Sequence, residues 1–131
     1  MTLPETAGSE TPLTMLIVDD HAGFRSFARE LGSAAGFTVM GEATDGESAL
    51  TAAAALRPDV VLLDIQLPGI DGIEVAERLA AQPDAPMIVL TSTRDASEFG
   101  SRLSTSRAAG FIWKGELTPD RLAALVMNGG T

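Results

Sequence analysis

Short apolar runs alternate with longer stretches whose apolar positions fall at helical spacing, five times along the chain. "MLIV" (15–18) opens the series and ends in the acidic pair Asp19–Asp20. Phe24, Phe27, Ala28, Leu31 and Ala35 then recur at the spacing of one helical face. "FTVM" (37–40) is the second strand candidate, bounded by Gly36 and Gly41. "DGESALTAAAALRP" reads as a helix of high propensity that Pro58 stops. "VVLL" (60–63) ends at Asp64, and from Gly72 to about Ala81 the residues Val75, Ala76, Leu79 and Ala80 share a face. "MIVL" (87–90) and "FIW" (111–113) complete the strands. "TPDRLAALV" supplies the last helix, with Thr118 as N-cap, Pro119 in the first turn, and Leu122, Leu125 and Val126 facing inward.

The strand runs are continuously apolar rather than alternating, which is expected when both faces of a parallel sheet are covered. Strand and helix in turn imply short right-handed crossovers. The predicted fold is an open, doubly wound α/β sandwich, whose ligands sit outside the carboxyl ends of the strands. The fourth helix is the weak element. "RDASEFGSRLSTSRAAG" offers Ala96, Phe99 and Leu103, but Gly100 and the serines and threonine after it oppose a helix. A short, irregular or mobile segment is expected there. Residues 1–13, rich in Thr, Ser, Glu, Pro and Gly, read as a disordered tail, leaving 14–131 as one domain. The terminal "VMNGGT" reads as a fraying chain end.

Composition narrows the chemistry. There is no cysteine and one histidine, which excludes disulfides, thiol catalysis and thiolate or histidine-rich metal sites. Nine basic against eighteen acidic residues give a net charge of −9, which opposes direct nucleic-acid binding and attraction to anionic membranes. No apolar run reaches the roughly 20 residues of a membrane span, and the N-terminus lacks the features of a signal peptide. A cytoplasmic protein is expected. Lysine occurs once, as Lys114, against eight arginines.

The predicted sheet gathers Asp19, Asp20, Asp64, Thr91 and Lys114 at its carboxyl edge. Three neighbouring carboxylates repel one another and favour a cation. Hard oxygen ligands select Mg²⁺ over zinc or copper. A lysine at such a site supplies a compact point charge that arginine's planar fork does not reproduce.

"LIVDDH", "VVLLDIQLPGIDG", "MIVLTS" and "AAGFIWK", in this order and each at a strand end, resemble the receiver domain of bacterial two-component response regulators. The motif style is nearest the LuxR/NarL-type branch. The resemblance implies a CheY-like, flavodoxin-like (βα)5 fold with strand order 2-1-3-4-5. It implies phosphorelay signal transduction by an aspartyl phosphate, with a sensor histidine kinase as phosphoryl source. Asp64 would be the phospho-acceptor. Asp20 would bind Mg²⁺ directly, Asp19 largely through water, and the Gln66 backbone carbonyl would join Asp64 in the set. Thr91 and Lys114 would hold phosphoryl oxygens, and Thr91 with Phe111 would form the switch. The signal would leave through the face built by the fourth helix, fifth strand and fifth helix, towards an unidentified protein partner or a phosphorylation-dependent homodimer. The expected role is non-enzymatic.

The resemblance departs at Gly115, where the family usually carries a proline after the lysine, and the Thr91-to-Lys114 interval is slightly long. A helix-turn-helix output domain common in that branch does not follow in this sequence, so a stand-alone receiver is expected. Two alternatives stand beside it. One is the receiver portion of a LuxR-type DNA-binding regulator. The other, an aspartyl-phosphate phosphatase, lacks the DxD spacing and the cap. His21 reads as a loop or helix-start side chain, Trp113 as packing or an interface anchor, and Pro68–Gly69 as turn formers after the third strand.

Overall fold

The computed structural model describes residues 11–128. β1 (Thr14–Val18), β2 (Thr38–Ala43), β3 (Val60–Asp64), β4 (Met87–Ser92) and β5 (Gly110–Trp113) form one parallel sheet in the order β2-β1-β3-β4-β5. Between and after them run α1 (Ala22–Ala34), α2 (Gly46–Leu56), α3 (Gly72–Ala80), α4 (Ser101–Ser104) and α5 (Pro119–Asn128). The expected doubly wound architecture and strand order are both found. The tail predicted for 1–13 lies mostly outside the described residues, as do the last three of the predicted fraying end.

Alternate residues of the apolar runs serve opposite faces. Leu16, Val18, Val61, Leu63 and Leu90 pack with Ala49, Val75, Ala76 and Leu79 on the α2–α3 side. Met15, Ile17, Leu62, Val89 and Ile112 pack with Ala28, Leu31, Leu122 and Val126 on the α1–α5 side. This is why the central strands carry no polar alternation: each residue faces a core.

Helix starts are set by local chemistry. Asp45 and Ser48 form a reciprocal capping box at α2, Asp71 accepts from Glu74 N–H at α3, and Thr118 Oγ1 accepts from Arg121 N–H at α5. The turn after β3 contains Gly69 at φ 77°, in line with its expected turn role.

The largest boundary difference from the sequence reading is at the end of β2; β1, β4 and β5 each extend only one or two residues beyond their apolar runs. β2 does not stop at Met40 but continues through Gly41 to Ala43. Pairing with β1 decides this: Leu16 and Ile17 lie opposite Gly41 and Glu42, after a register shift that accommodates Met40. Cross-strand backbone bonding overrides the local tendency of glycine to end a strand. The expected weakness of the fourth helix is found. A 3-10 turn (Ala96–Phe99) stops at Gly100, at φ 56°, and α4 adds only four residues, none fully buried.

Candidate functional site

β1, β3 and β4 end side by side, and their last residues meet. Asp64 pairs in register with Thr91, and Asp19 leaves β1 at the same edge. Gly72 lets α3 start against this edge. A Cβ there would lie 2.2 Å from the Asp64 carbonyl oxygen, so only glycine fits. Its N–H donates to the Ile65 carbonyl at 2.7 Å.

Asp19 is fully buried and Asp64 is 3% exposed. The Lys114 ammonium reaches across from the end of β5 to join them. Nζ lies 2.6 Å from Asp19 Oδ2 and 3.8 Å from Asp64 Oδ2. The other Asp19 oxygen accepts the His21 N–H at 2.9 Å, and its carbonyl accepts Arg25 Nη1–H at 2.9 Å. Arg25 and Arg29 both bind Glu42, which holds the Glu42 carboxyl below its ordinary range. Asp64 Oδ1 accepts the Gln66 N–H at 3.3 Å.

Burial pushes the Asp64 carboxyl up to about 6 from its ordinary 3.8. The Lys114 charge opposes that rise, while Asp19 and Asp20 add to it. Added positive charge in the cleft would lower it again, leaving an ionised, nucleophilic oxygen. Thr91 Oγ1 is buried and is the one such side-chain atom among the described residues without a hydrogen-bond partner. A buried hydroxyl in that condition is costly unless a ligand oxygen meets it.

The structure thus brings Asp19, Asp64 and Lys114 into contact, with Thr91 in register and Asp20 near enough to act on Asp64 by charge. Asp19, Asp20 and His21 can place one ligand atom each within 4.8 Å of one another. His21 is the α1 N-cap residue, the helix-start one of its two readings, and its exposed ring also lies 3.1 Å from Asp20 Oδ1. Phe111 stands apart from this group. It is partly buried against the α2–α3 core, with its ring 6.4 Å from that of Phe99.

Three features escaped the sequence reading. Phe24, assigned there to an apolar helix face, lies with its ring centroid 4.1 Å from Lys114 Nζ. Arg25 braces the Asp19 backbone. Trp113 closes the opposite rim: Nε1–H donates to the Thr93 carbonyl at 3.0 Å, and its ring covers Gly115 so closely that a Cβ would come within 2.5 Å of Cζ3. Gly115 is therefore matched to Trp113. No described peptide bond is cis, and Lys114 leads directly into a 3-10 turn, Lys114–Glu116.

Known proteins resemble this chain in sequence and fold. The model of the response regulator receiver domain matches residues 15–127. Response regulator GacA of Pseudomonas aeruginosa is 40% identical over 105 residues, covering 79% of this chain and 49% of its own. The nitrate/nitrite response regulator protein NarL of Escherichia coli is 34% identical over 118 residues, 89% of this chain and 55% of its own. The chain thus spans about half the length of the curated relatives it matches. A LuxR-family two-component response regulator from Aurantimonas superposes with TM-score 0.79 at 27% identity, covering 91% and 89% of the two chains. The chemotaxis response regulator CheY4 of Vibrio cholerae gives 0.76 at 26%, covering 89% and 98%. The phosphatase alternative draws no support from these relatives. With the motif order, the sheet order and the acidic edge all in agreement, the chain belongs to the response regulator receiver domain family.

Proposed function

We propose that Asp64 accepts a phosphoryl group from the phosphohistidine of a sensor kinase and that the resulting aspartyl phosphate is a signal rather than a catalytic intermediate. The observation that carries this reading is the setting of Asp64: a buried carboxylate in register with an unpartnered Thr91 hydroxyl and 3.8 Å from the Lys114 ammonium. An Asp64 oxygen attacks phosphorus, the O–P bond forms, and the P–N bond breaks with its electron pair returning to the imidazole. Thr91 donates its hydroxyl hydrogen to one phosphoryl oxygen, and Lys114 holds another. These are positioning and charge-neutralising roles, the main contributions to phosphoryl transfer.

The donor set suits a hard divalent cation: Asp19, Asp20 and Asp64 offer only oxygen, and the Gln66 carbonyl belongs to the same proposed set. Mg²⁺ held there supplies further neutralisation of phosphoryl charge. Thr91 and Phe111 are proposed as the switch, acting on the surface formed by α4, β5 and α5, with a protein partner or a second copy as the reader. A cytoplasmic setting is proposed with them; no helix among the described residues is long and apolar enough to cross a membrane.

The test is intact-mass measurement after incubation with acetyl phosphate and Mg²⁺. The parent should gain one phosphate mass and Asp64→Asn none. Equal labelling of the two would defeat the assignment. The second reading, the receiver portion of a DNA-binding regulator, draws on the greater length of the relatives. The present chain, at −9, is not proposed to contact DNA itself. Sequence-specific retardation of DNA by the isolated, phosphorylated chain at low salt would overturn that.

A further inference from the structure

We propose that Phe24 is a positioning residue for phosphoryl transfer, whose ring face seats the Lys114 ammonium beside Asp64. This rests on the proposed function and names a residue through which it works. Lys114 Nζ has three neighbours of different kinds. Asp19 Oδ2 lies at 2.6 Å, Asp64 Oδ2 at 3.8 Å, and the Phe24 ring centroid at 4.1 Å. The Lys114 side chain is only 12% exposed, so water does not supply the remaining contacts freely. A carboxylate pulls the ammonium towards itself. The ring attracts the charge through its π face without offering a lone pair. It therefore holds the ammonium without competing as a hydrogen-bond acceptor for the N–H directed at Asp64 or at a phosphoryl oxygen.

The ring is itself held in place. Phe24 is in the first turn of α1, and the start of that helix is tied to Asp19 twice: His21 N–H donates to the side chain and Arg25 Nη1–H to the carbonyl. Ring, buried carboxylate and ammonium are therefore linked through one set of contacts. Phe24 also tilts against Phe27, with ring centroids 5.9 Å apart, and packs on the α1–α5 core. The seat favours lysine as well. A guanidinium is wider and planar, so it does not place a compact point charge at the same spot.

Attraction of the strength typical for a partly desolvated cation and ring corresponds to about a 2- to 30-fold effect on an equilibrium or rate. The test uses the whole chain and exploits its single lysine: selective lysine labelling gives one side-chain NMR signal, that of Lys114. In the parent, its ε-methylene protons should be shifted upfield by the ring current, and Phe24→Leu should abolish that shift. Phosphorylation by acetyl phosphate at fixed Mg²⁺ supplies the second readout. Phe24→Leu should slow it about 2- to 30-fold, and Phe24→Tyr should restore most of the rate. Substitution of 3,4,5-trifluorophenylalanine at position 24, which preserves shape but drains the ring face of negative potential, should slow it at an unchanged melting temperature.

Parent-like rates in both the leucine and trifluoro proteins, or an unshifted lysine signal in the parent, would overturn the seat while leaving Asp64 as acceptor. Failure of the parent to take up phosphate would overturn the proposed function and this inference with it.

Discussion

The two ends of the β1–β3–β4–β5 edge are built to different tolerances. Around β1 and β3, Asp19 and Asp64 are buried, α1 is tied to Asp19, and Gly72 brings α3 within a Cβ's width of the end of β3. Around β4 and β5, α4 is four residues long after a break at Gly100, no residue of it is fully buried, and Trp113 is 44% exposed. Elements with few buried apolar contacts open at low free-energy cost, and moving parts are drawn from them. A phosphoryl site needs fixed geometry, whereas a signalling surface needs a second accessible arrangement. The contrast in packing suits the proposed division of labour, with Thr91 on the boundary: its backbone carbonyl accepts the Ile65 N–H at 2.9 Å, and the chain two residues on is held by Trp113.

The comparison is most easily broken by cavity mutations on its two sides. Leu79→Ala in α3 should cost about 2–5 kcal/mol in urea denaturation, because the side chain is buried on all sides. Leu103→Ala in α4 should cost about 1 kcal/mol or less, the range for a side chain already part-exposed. Equal losses would show that α4 is as firmly packed as α3.

Asp64→Asn should stabilise the protein in metal-free buffer, by an amount that depends on pH. The folded carboxyl titrates near 6, above its ordinary 3.8, so folding disfavours the charged form. Stability is fully present below about pH 4 and is lost as pH rises through 6. A shift of about two units sets the gain from removing the charge at about 3 kcal/mol by pH 7.5, vanishing near pH 4. Urea titrations of both proteins at the two pH values check this, and a gain unchanged at pH 4 would contradict it.

The softer end offers a smaller test. Gly115→Ala places a Cβ against the Trp113 ring, which has open solvent to swing into. The ring should leave, breaking its bond to the Thr93 carbonyl, at a cost of about 1 kcal/mol. Trp113 fluorescence should shift to the red, and the same change made in Trp113→Phe should cost less. Identical costs in the two backgrounds would separate Gly115 from the ring.

Smallest in stability is Lys114→Arg. The charge is kept, so the melting temperature should stay within about 3 °C, less than a 1 kcal/mol change produces in a domain of this size. The phosphorylation-dependent chemical-shift changes around Thr91 and Phe111 should shrink, because the guanidinium does not seat between Asp19 and the Phe24 ring. A parent-sized pattern would make the single lysine incidental.

Much of this was legible from local order along the chain. Apolar runs of four residues specify buried strands, and the acids, hydroxyl and lysine that end those runs must share an edge once the strands are parallel. Gly100 and its polar neighbours announce the broken fourth helix by the same local logic. The length of β2 was not legible, because Gly41 joins the strand only through its register with Leu16. Nor was Phe24's place under Lys114, ninety residues away: helical spacing marks it as inward-facing, but the crossovers decide what it faces. Likewise, a tryptophan and a glycine two residues apart look unrelated until the backbone turns the ring onto the glycine and the indole N–H towards Thr93. Fold and reactive groups follow from periodicity and residue type, which act over a few residues. The seating of those groups depends on contacts between segments far apart in sequence, and only the packed sheet and helices establish them.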